Sequence, residues 1–243
     1  MIFYKFESMG NDFIVVYKEK IDLQKINILC KQHFSIGADG IIILKKSPKY
    51  DMEMEIYNAD GSKAKMCGNG LKIVAFFLKK ILKYPQDEFT VIVNDKQIAN
   101  VGMINEQCYV LIDYPRFIKR VDNYYIYEIG NTHAIKNVEY ISRSELLKDA
   151  KKESLKGMNI TNISLDDSEN VRIQTYENGV GLTNSCGSAS LCSFAYLNDR
   201  GVINKKITFH SLGGVYDIEI FANKLCLYGK VNFIYKGETT DEL

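Results

Sequence analysis

The sequence predicts an α+β fold built from two similar domains. Three observations carry this reading: strand-like runs outnumber helical ones, an internal repeat relates the two halves, and one proline sits near the midpoint. In the first half, runs rich in Ile, Val, Tyr and Phe predict strands at 3–6, 13–17, 40–44, 52–58, 89–93 and 108–112. In the second half the same signal falls at 124–129, 134–138, 171–176, 207–210, 216–221, 225–228 and 233–235. Helices are predicted at 23–32, 68–83, 142–153 and 187–199. Many short strands with isolated helices point away from a doubly wound βαβ arrangement.

The repeat is defined by two landmarks that share one offset. Tyr57-Asn58 precedes Cys67-Gly68 as Tyr176-Glu177 precedes Cys186-Gly187, and the two Cys-Gly pairs are 119 residues apart. Gly10-Asn11 and Gly130-Asn131 are 120 apart, each between two apolar runs. Chance can match one pair, but two pairs whose spacings agree to within one residue indicate two copies of a supersecondary module. The expected domains are 1–115 and 116–231, hinged at Pro115, with a last strand near 232–237 returning to the first. The two copies are expected to face each other across a cleft.

Composition excludes several classes. With 243 residues, 46% hydrophobic and 25% charged, the chain is ordinary globular material. A net charge of +1 supplies no general attraction for nucleic acid or an acidic membrane. The opening MIFYKFESMGND lacks the basic start and apolar run of a signal peptide, so a cytoplasmic location is expected. The apolar stretch 73–82 is broken by Lys79 and Lys80 and is too short to span a bilayer. Six irregularly spaced cysteines do not form a disulfide framework. No CxxC pair exists and no histidine approaches a cysteine at zinc-ligand spacing, so no metal is expected.

Chemistry concentrates at two cysteines. Cys67 opens CGNGLKIVAFFLKKILK and Cys186 opens CGSASLCSFAYLNDRG, small residues followed by an apolar helix in each case. Each thiol is thereby placed at a helix N-terminus, where unpaired N–H groups and the helix dipole favour negative charge. The same N–H groups can hold a carboxylate. A small amino acid held by both helix ends would have one sulfur on each face of its Cα. One thiolate takes the α-proton, the carbanion is stabilised through the carboxylate, and the other thiol returns a proton to the opposite face. Such inversion needs neither pyridoxal phosphate nor a metal, and no cofactor is expected. A single cysteine near a helix start is ordinarily packing; the repetition of the pair with its glycine and upstream tyrosine gives it catalytic weight. Cys30, Cys108, Cys192 and Cys226 have no such context.

FESMGNDFIVV, HFSIGADGIIIL, YNADGSKAKMCGNG, GNTHAI and YENGVGLTNSCGSAS resemble, in order and spacing, the motifs of the diaminopimelate epimerase family. The resemblance runs from about Phe3 to Gly214. It implies two pseudo-symmetric α+β domains, each a sheet wrapped around a central helix, and catalysis by Cys67 and Cys186. It also implies that Asn11 lines the substrate pocket and that Asn58, Asn131 and Asn159 surround the distal end of the substrate. Gly68, Asn69, Gly187 and Ser188 match the donors that hold the reacting carboxylate. Glu177 matches a glutamate near the reacting amino group, and His133 a histidine beside it. Outside that context, Glu177 would read as a surface carboxylate and His133 as a core histidine.

Departures from the family pattern bear on the substrate. Where the family has Glu-Arg-Gly, this chain has Glu177-Asn178-Gly179. The arginine anchors the far carboxylate of diaminopimelate, and Asn178 cannot form that bidentate pair. Loss of one charged hydrogen bond costs about 1.5–3 kcal/mol. Leu182 replaces an acidic residue, Thr132 a proline, and Lys72 an arginine. The expected reaction is racemisation of an amino acid without a distal carboxylate. Histidine is favoured, its imidazole suiting a pocket lined by the amides of Asn58, Asn131 and Asn159, with Asn178 also counted among the substrate-binding residues. Diaminopimelate epimerisation, with Arg172 or a lysine replacing the missing guanidinium, is the alternative; a non-enzymatic binding or redox role is the third. The partners expected are a small amino acid and, through exposed strands, a second copy of the chain, with neither nucleic acid nor membrane. The tail GETTDEL is expected to fray.

Overall fold

The computed structural model describes residues 1–18, 21–64, 67–203 and 205–240. The chain divides into two compact units, Met1–Val110 with Gly229–Leu243, and Leu111–Tyr228. In the first unit, β1 (Ile2–Ser8) pairs antiparallel with β2 (Asn11–Tyr17), which pairs parallel with β3 (Gly40–Lys45). β3 runs antiparallel to β4 (Met52–Asn58), β4 parallel to β5 (Glu88–Val93), and β5 antiparallel to β6 (Gln97–Ile104). The short helix α1 (Ile26–Leu29) lies between β2 and β3, and α2 (Gly68–Phe76) between β4 and β5.

β7 (Gln107–Asp113) leads into the second unit, where β8 (Arg116–Val121) pairs antiparallel with β9 (Tyr124–Ile129). The order of the first unit then recurs. β9 is antiparallel to β10 (Asn131–Asn137), and β10 is parallel to β11 (Asn159–Leu165) across α3 (Arg143–Asp149). β11 is antiparallel to β12 (Asn170–Glu177), which carries the short return strand β13 (Gly181–Thr183). After α4 (Gly187–Asn198), β14 (Lys206–Ser211) pairs parallel with β12 and antiparallel with β15 (Gly214–Phe221). β16 (Lys224–Gly229) follows antiparallel to β15, and β17 (Asn232–Glu238) then pairs antiparallel with β1 in the first unit. Even the single bridge Tyr57–Lys63 has its counterpart in the Tyr176–Leu182 pair of β12 and β13.

Each sheet has two covered faces. On one face of the first unit, Ile26 and Leu29 of α1 pack with Phe3, Ile14, Val16, Ile41 and Tyr57. In the second unit, Leu146 of α3 takes the same role over Tyr124, Ile126, Ala134 and Ile160. The opposite face of the first unit receives α2: a Cβ on Gly70 would lie 3.1–3.2 Å from Met54, Ile42 and Ile56, so these side chains meet its first turn. Ten of the twelve residues of α4 are buried, as a helix enclosed by strands requires. Among the described residues no helix is long and apolar enough to cross a membrane.

The predicted α+β class and the two-part organisation are as observed. Four strands escape the sequence patterns: β6, β8, β11 and β13. The helix expected over 23–32 is a 3-10 turn, Leu23–Lys25, followed by the single turn of α1. It stops because Gly37 and Ala38 donate to the carbonyls of Leu29 and Cys30, turning the chain away. The helix expected over 68–83 gives way at Phe77 to a wider turn, closed by Leu82 N–H to Phe77 C=O at 2.9 Å. The helix expected over 142–153 starts as read, with Ser142 capping it through Glu145 N–H, but ends at Asp149. The boundary between units falls after Val110, within β7, and not at Pro115, which only separates β7 from β8. Nor does the tail fray from its start. Gly237 and Glu238 pair with Phe3 and Ile2, and Thr239 N–H reaches Met1 C=O at 3.0 Å. The last three residues of that tail, and Lys65 and Met66 before Cys67, lie outside the described residues.

Candidate active site

Both sheets end at a helix with a cysteine in its N-cap position, and of the two only the Cys67 side chain makes a capping hydrogen bond. Cys67 takes φ −145°, ψ 110°, and Cys186 takes φ −141°, ψ 106°, the extended backbone of a helix cap. The Cys67 Sγ accepts from Gly70 N–H at 3.3 Å, and Leu71 N–H closes the first turn onto Cys67 C=O at 2.9 Å. At Cys186, the Sγ lies 3.3 Å from Ser188 Oγ and Ser190 N–H reaches the Cys186 carbonyl at 3.0 Å. Neither helix carries an acidic residue in its first turn, so nothing there offsets the positive end of the dipole.

In the first unit, an amide network sets the surroundings of Cys67. Asn69 Nδ2 donates to Asn11 Oδ1 at 2.7 Å, and Asn11 Nδ2 donates to Asp39 Oδ2 at 3.2 Å. Asp39 also accepts Asp12 N–H and gives its own N–H to the Asp12 carboxylate, which pairs with Lys5 at 2.6 Å. Asn11 begins β2 and Asp39 directly precedes β3, so the parallel pairing of these strands brings them together. The Oδ1 of Asn69 is buried without a partner. Asn58 ends β4 opposite Gly40, and its Nδ2 donates to Ser62 Oγ at 2.9 Å. One turn into α2, the fully buried Lys72 amine is pushed down to about 7 by burial, and the charge of Cys67 pulls it part of the way back.

In the second unit, strand register assembles a row across three strands. His133 pairs with Asn159 in the parallel β10–β11 ladder, and Ile160 opposite Tyr176 places Glu177 beside Asn159. His133 Nε2 and Asn159 Nδ2 are 3.5 Å apart, while Asn159 Oδ1 accepts Asn178 N–H at 2.9 Å. His133 is fully buried and burial holds it down to about 4, so it is a neutral imidazole at physiological pH. Burial raises the Glu177 carboxyl, against the opposing pull of the neighbouring Thr183 and Cys186. Burial also drives the Cys186 thiol strongly upward, with the Glu177 charge adding to it. At Cys186 these two effects outweigh the helix terminus, and the neutral thiol is favoured.

The residues singled out in the sequence therefore fall into two groups. Asn11, Asn58, Cys67, Gly68 and Asn69 lie at the end of the first sheet, and Asn131, His133, Asn159, Glu177, Asn178, Cys186, Gly187 and Ser188 at the end of the second. Asn131 and Asn178 are exposed, so their side chains are open to a ligand. Sequence reasoning passed over Asp39 and Thr183. Asp39 lies within the GADG segment already noted, but its carboxylate acquires meaning only when β2 and β3 align.

The chain matches the family model described as diaminopimelate epimerase over residues 3–99 and 125–234, covering the cysteine-capped helix of each unit. It belongs to the diaminopimelate epimerase family. This family member is 30% identical to the diaminopimelate epimerase of Caldanaerobacter subterraneus subsp. tengcongensis, over 98% of this chain and 99% of that one. Among solved structures it is similar to a PhzF-family phenazine biosynthesis protein of Enterococcus faecalis, with a TM-score of 0.75, 14% identity and 98% of each chain covered. A probable proline racemase of Agrobacterium radiobacter K84 gives a TM-score of 0.68 at 12% identity, over 99% of this chain and 93% of that one. These two share its fold. The family assignment makes the chain an isomerase of the racemase and epimerase class.

Proposed function

We propose that this family member is a cofactor-independent amino-acid racemase in which Cys67 and Cys186 act on opposite faces of the substrate Cα, with histidine the preferred substrate. The observation that carries the reading is the repetition of one helix-capping cysteine, with the same backbone conformation, at the same place in two matching sheets. N–H groups of Gly68, Asn69, Gly187 and Ser188 would bind the α-carboxylate and take up charge as the α-proton leaves. Cys67, half-exposed and hydrogen-bonded to Gly70 N–H, is suited to the thiolate; Cys186, buried beside Glu177, is suited to the thiol. The thiolate removes the α-proton, the thiol protonates the other face, and the two sulfurs exchange roles for the reverse direction.

Support for a substrate without a distal carboxylate comes from Asn178 and Arg172. Arg172 lies five residues before Glu177 on β12, roughly 17 Å along an extended strand, and its Nε is engaged by Asp166 at 2.9 Å. It is poorly placed to replace the missing guanidinium. Diaminopimelate epimerisation is the second reading, favoured by the relative named for that activity. Purified protein incubated in D₂O with L-histidine or LL-diaminopimelate, and followed by α-deuterium incorporation and chiral chromatography, decides between them. Inversion of histidine is expected; activity on diaminopimelate alone overturns the substrate assignment.

A further inference from the structure

The two units match strand for strand but differ in what they enclose behind their cysteines. In the first unit, the row at the strand ends is Phe13, Gly40 and Asn58, and the next row inward is Val15, Ile42 and Ile56. The corresponding rows of the second unit are His133, Asn159 and Glu177, then Ile135, Thr161 and Thr175. On the helices, residues at i, i+4 and i+7 share a stripe. That stripe reads Cys67, Leu71, Val74 in α2 and Cys186, Ser190, Ser193 in α4.

Ile42 and Ile56 meet the first turn of α2, and Thr161 and Thr175 hold the matching register positions in the second unit. Both threonines are buried, as are Ser190 and Ser193. Thr161 and Thr175 hydroxyls lie 3.1 Å apart, and Ser190 Oγ donates to Cys186 C=O at 3.2 Å. Ser193 Oγ and His133 Nδ1 are buried with no protein partner. An unmet buried polar group costs about 1–3 kcal/mol, and the first unit forms the same fold with Leu, Val and Ile in these places. The fold does not call for the hydroxyls. Each hydroxyl residue is smaller than its counterpart, although Asn159 and Ile135 in the same rows are larger than Gly40 and Val15; what the exchange brings is buried donors and acceptors, the partners that internal water requires.

We propose that Thr161, Thr175, Ser193 and His133 Nδ1 bind ordered water behind Glu177, and that this internal hydration keeps the Glu177 carboxylate charged beside Cys186. The threonines are positioning residues that act through Glu177, and the inference rests on Glu177 and Cys186 being active-site partners. Among the described residues, the groups that act on Glu177 are Cys186 from α4 and Thr183 from β13, with Asn159 beside it on β11 and His133 one strand further along the row. None of these is a cation, so solvation has to come from neutral dipoles.

The test is the titration of Glu177 by NMR on protein carrying ¹³C-labelled glutamate, with the signal assigned through Glu177→Gln. In Thr161→Val/Thr175→Val, matched in shape but lacking both hydroxyls, the Glu177 midpoint is expected to rise by about one pH unit, a tenfold change in ionisation. Thr175→Ser should restore it. A crystal structure of the unaltered protein should show water against these four groups. An unchanged Glu177 midpoint, or side chains filling the space without water, overturns the proposal. If the double variant fails to fold, Thr175→Val alone carries the same readout. Because this titration needs no turnover, failure of the racemase reading would appear separately, as wild-type protein inactive on every amino acid offered.

Discussion

The buried histidine makes the stability of this protein depend on pH in a window that can be calculated. His133 is fully enclosed, and its ionisation is displaced from 6.5 to about 4 by burial. Between those values the unfolded chain binds a proton that the folded chain refuses. Stability therefore falls with decreasing pH by about 1.4 kcal/mol per unit across the window. The full loss attributable to this side chain is about 3 kcal/mol, reached near pH 4 and absent above pH 6.5. The clean control is His133→Phe, since Phe13 occupies the equivalent position in the first unit. Urea unfolding of both proteins at pH 7.5, 6, 5 and 4.5 isolates the histidine as the difference between the two curves. Carboxylates common to both proteins cancel. The variant should lose less stability on acidification, with the gap widening as pH falls below 6.5. Parallel pH dependence in the two proteins would refute the assignment of His133 as a buried neutral imidazole.

Other predictions concern the site and its support. Cys67→Ser and Cys186→Ser should each cut racemisation by roughly 10²–10⁴-fold while leaving the thermal midpoint little changed, as followed by chiral assay and circular dichroism. Asn178→Arg should shift kcat/KM toward a substrate with a second carboxylate by about 10- to 150-fold. The Asn178 side chain is exposed and its N–H is fixed by Asn159, so the larger residue is accommodated; an unchanged preference would remove the substrate argument. Gly40→Ala should destabilise the fold by about 1–3 kcal/mol in urea titration. Its Cβ would come within 2.5 Å of Tyr57 C=O and 3.2 Å of the Phe13 ring.

Legibility from sequence followed the physics of each element. β4 and β9 were read to the residue because apolar side chains mark them plainly. β11, NITNISL, was invisible for the opposite reason. It buries Asn159, Thr161, Asn162 and Ser164, and polar residues inside a sheet leave no hydrophobic pattern. The strand that sequence reading missed is thus the one that supplies the row between His133 and Glu177. β8 was missed because nearly all of it is exposed, and Lys119 and Arg120 break the alternation of apolar residues. The helix caps were readable at both cysteines, because small residues before an apolar helix report a local property. Asp39, Thr183 and the polar interior of the second unit depend on strand register, which no local pattern encodes.

The pairing of β17 with β1 has a consequence for how the protein is made. The second unit is one unbroken stretch of chain, whereas the first takes one of its strands, β17, from beyond the whole of the second unit. Domains fold as their residues leave the ribosome, so the half encoded first is the one that must wait. Until translation reaches Asn232–Glu238, β1 presents an open edge to any other nascent chain, and slow synthesis of the intervening second unit prolongs that exposure.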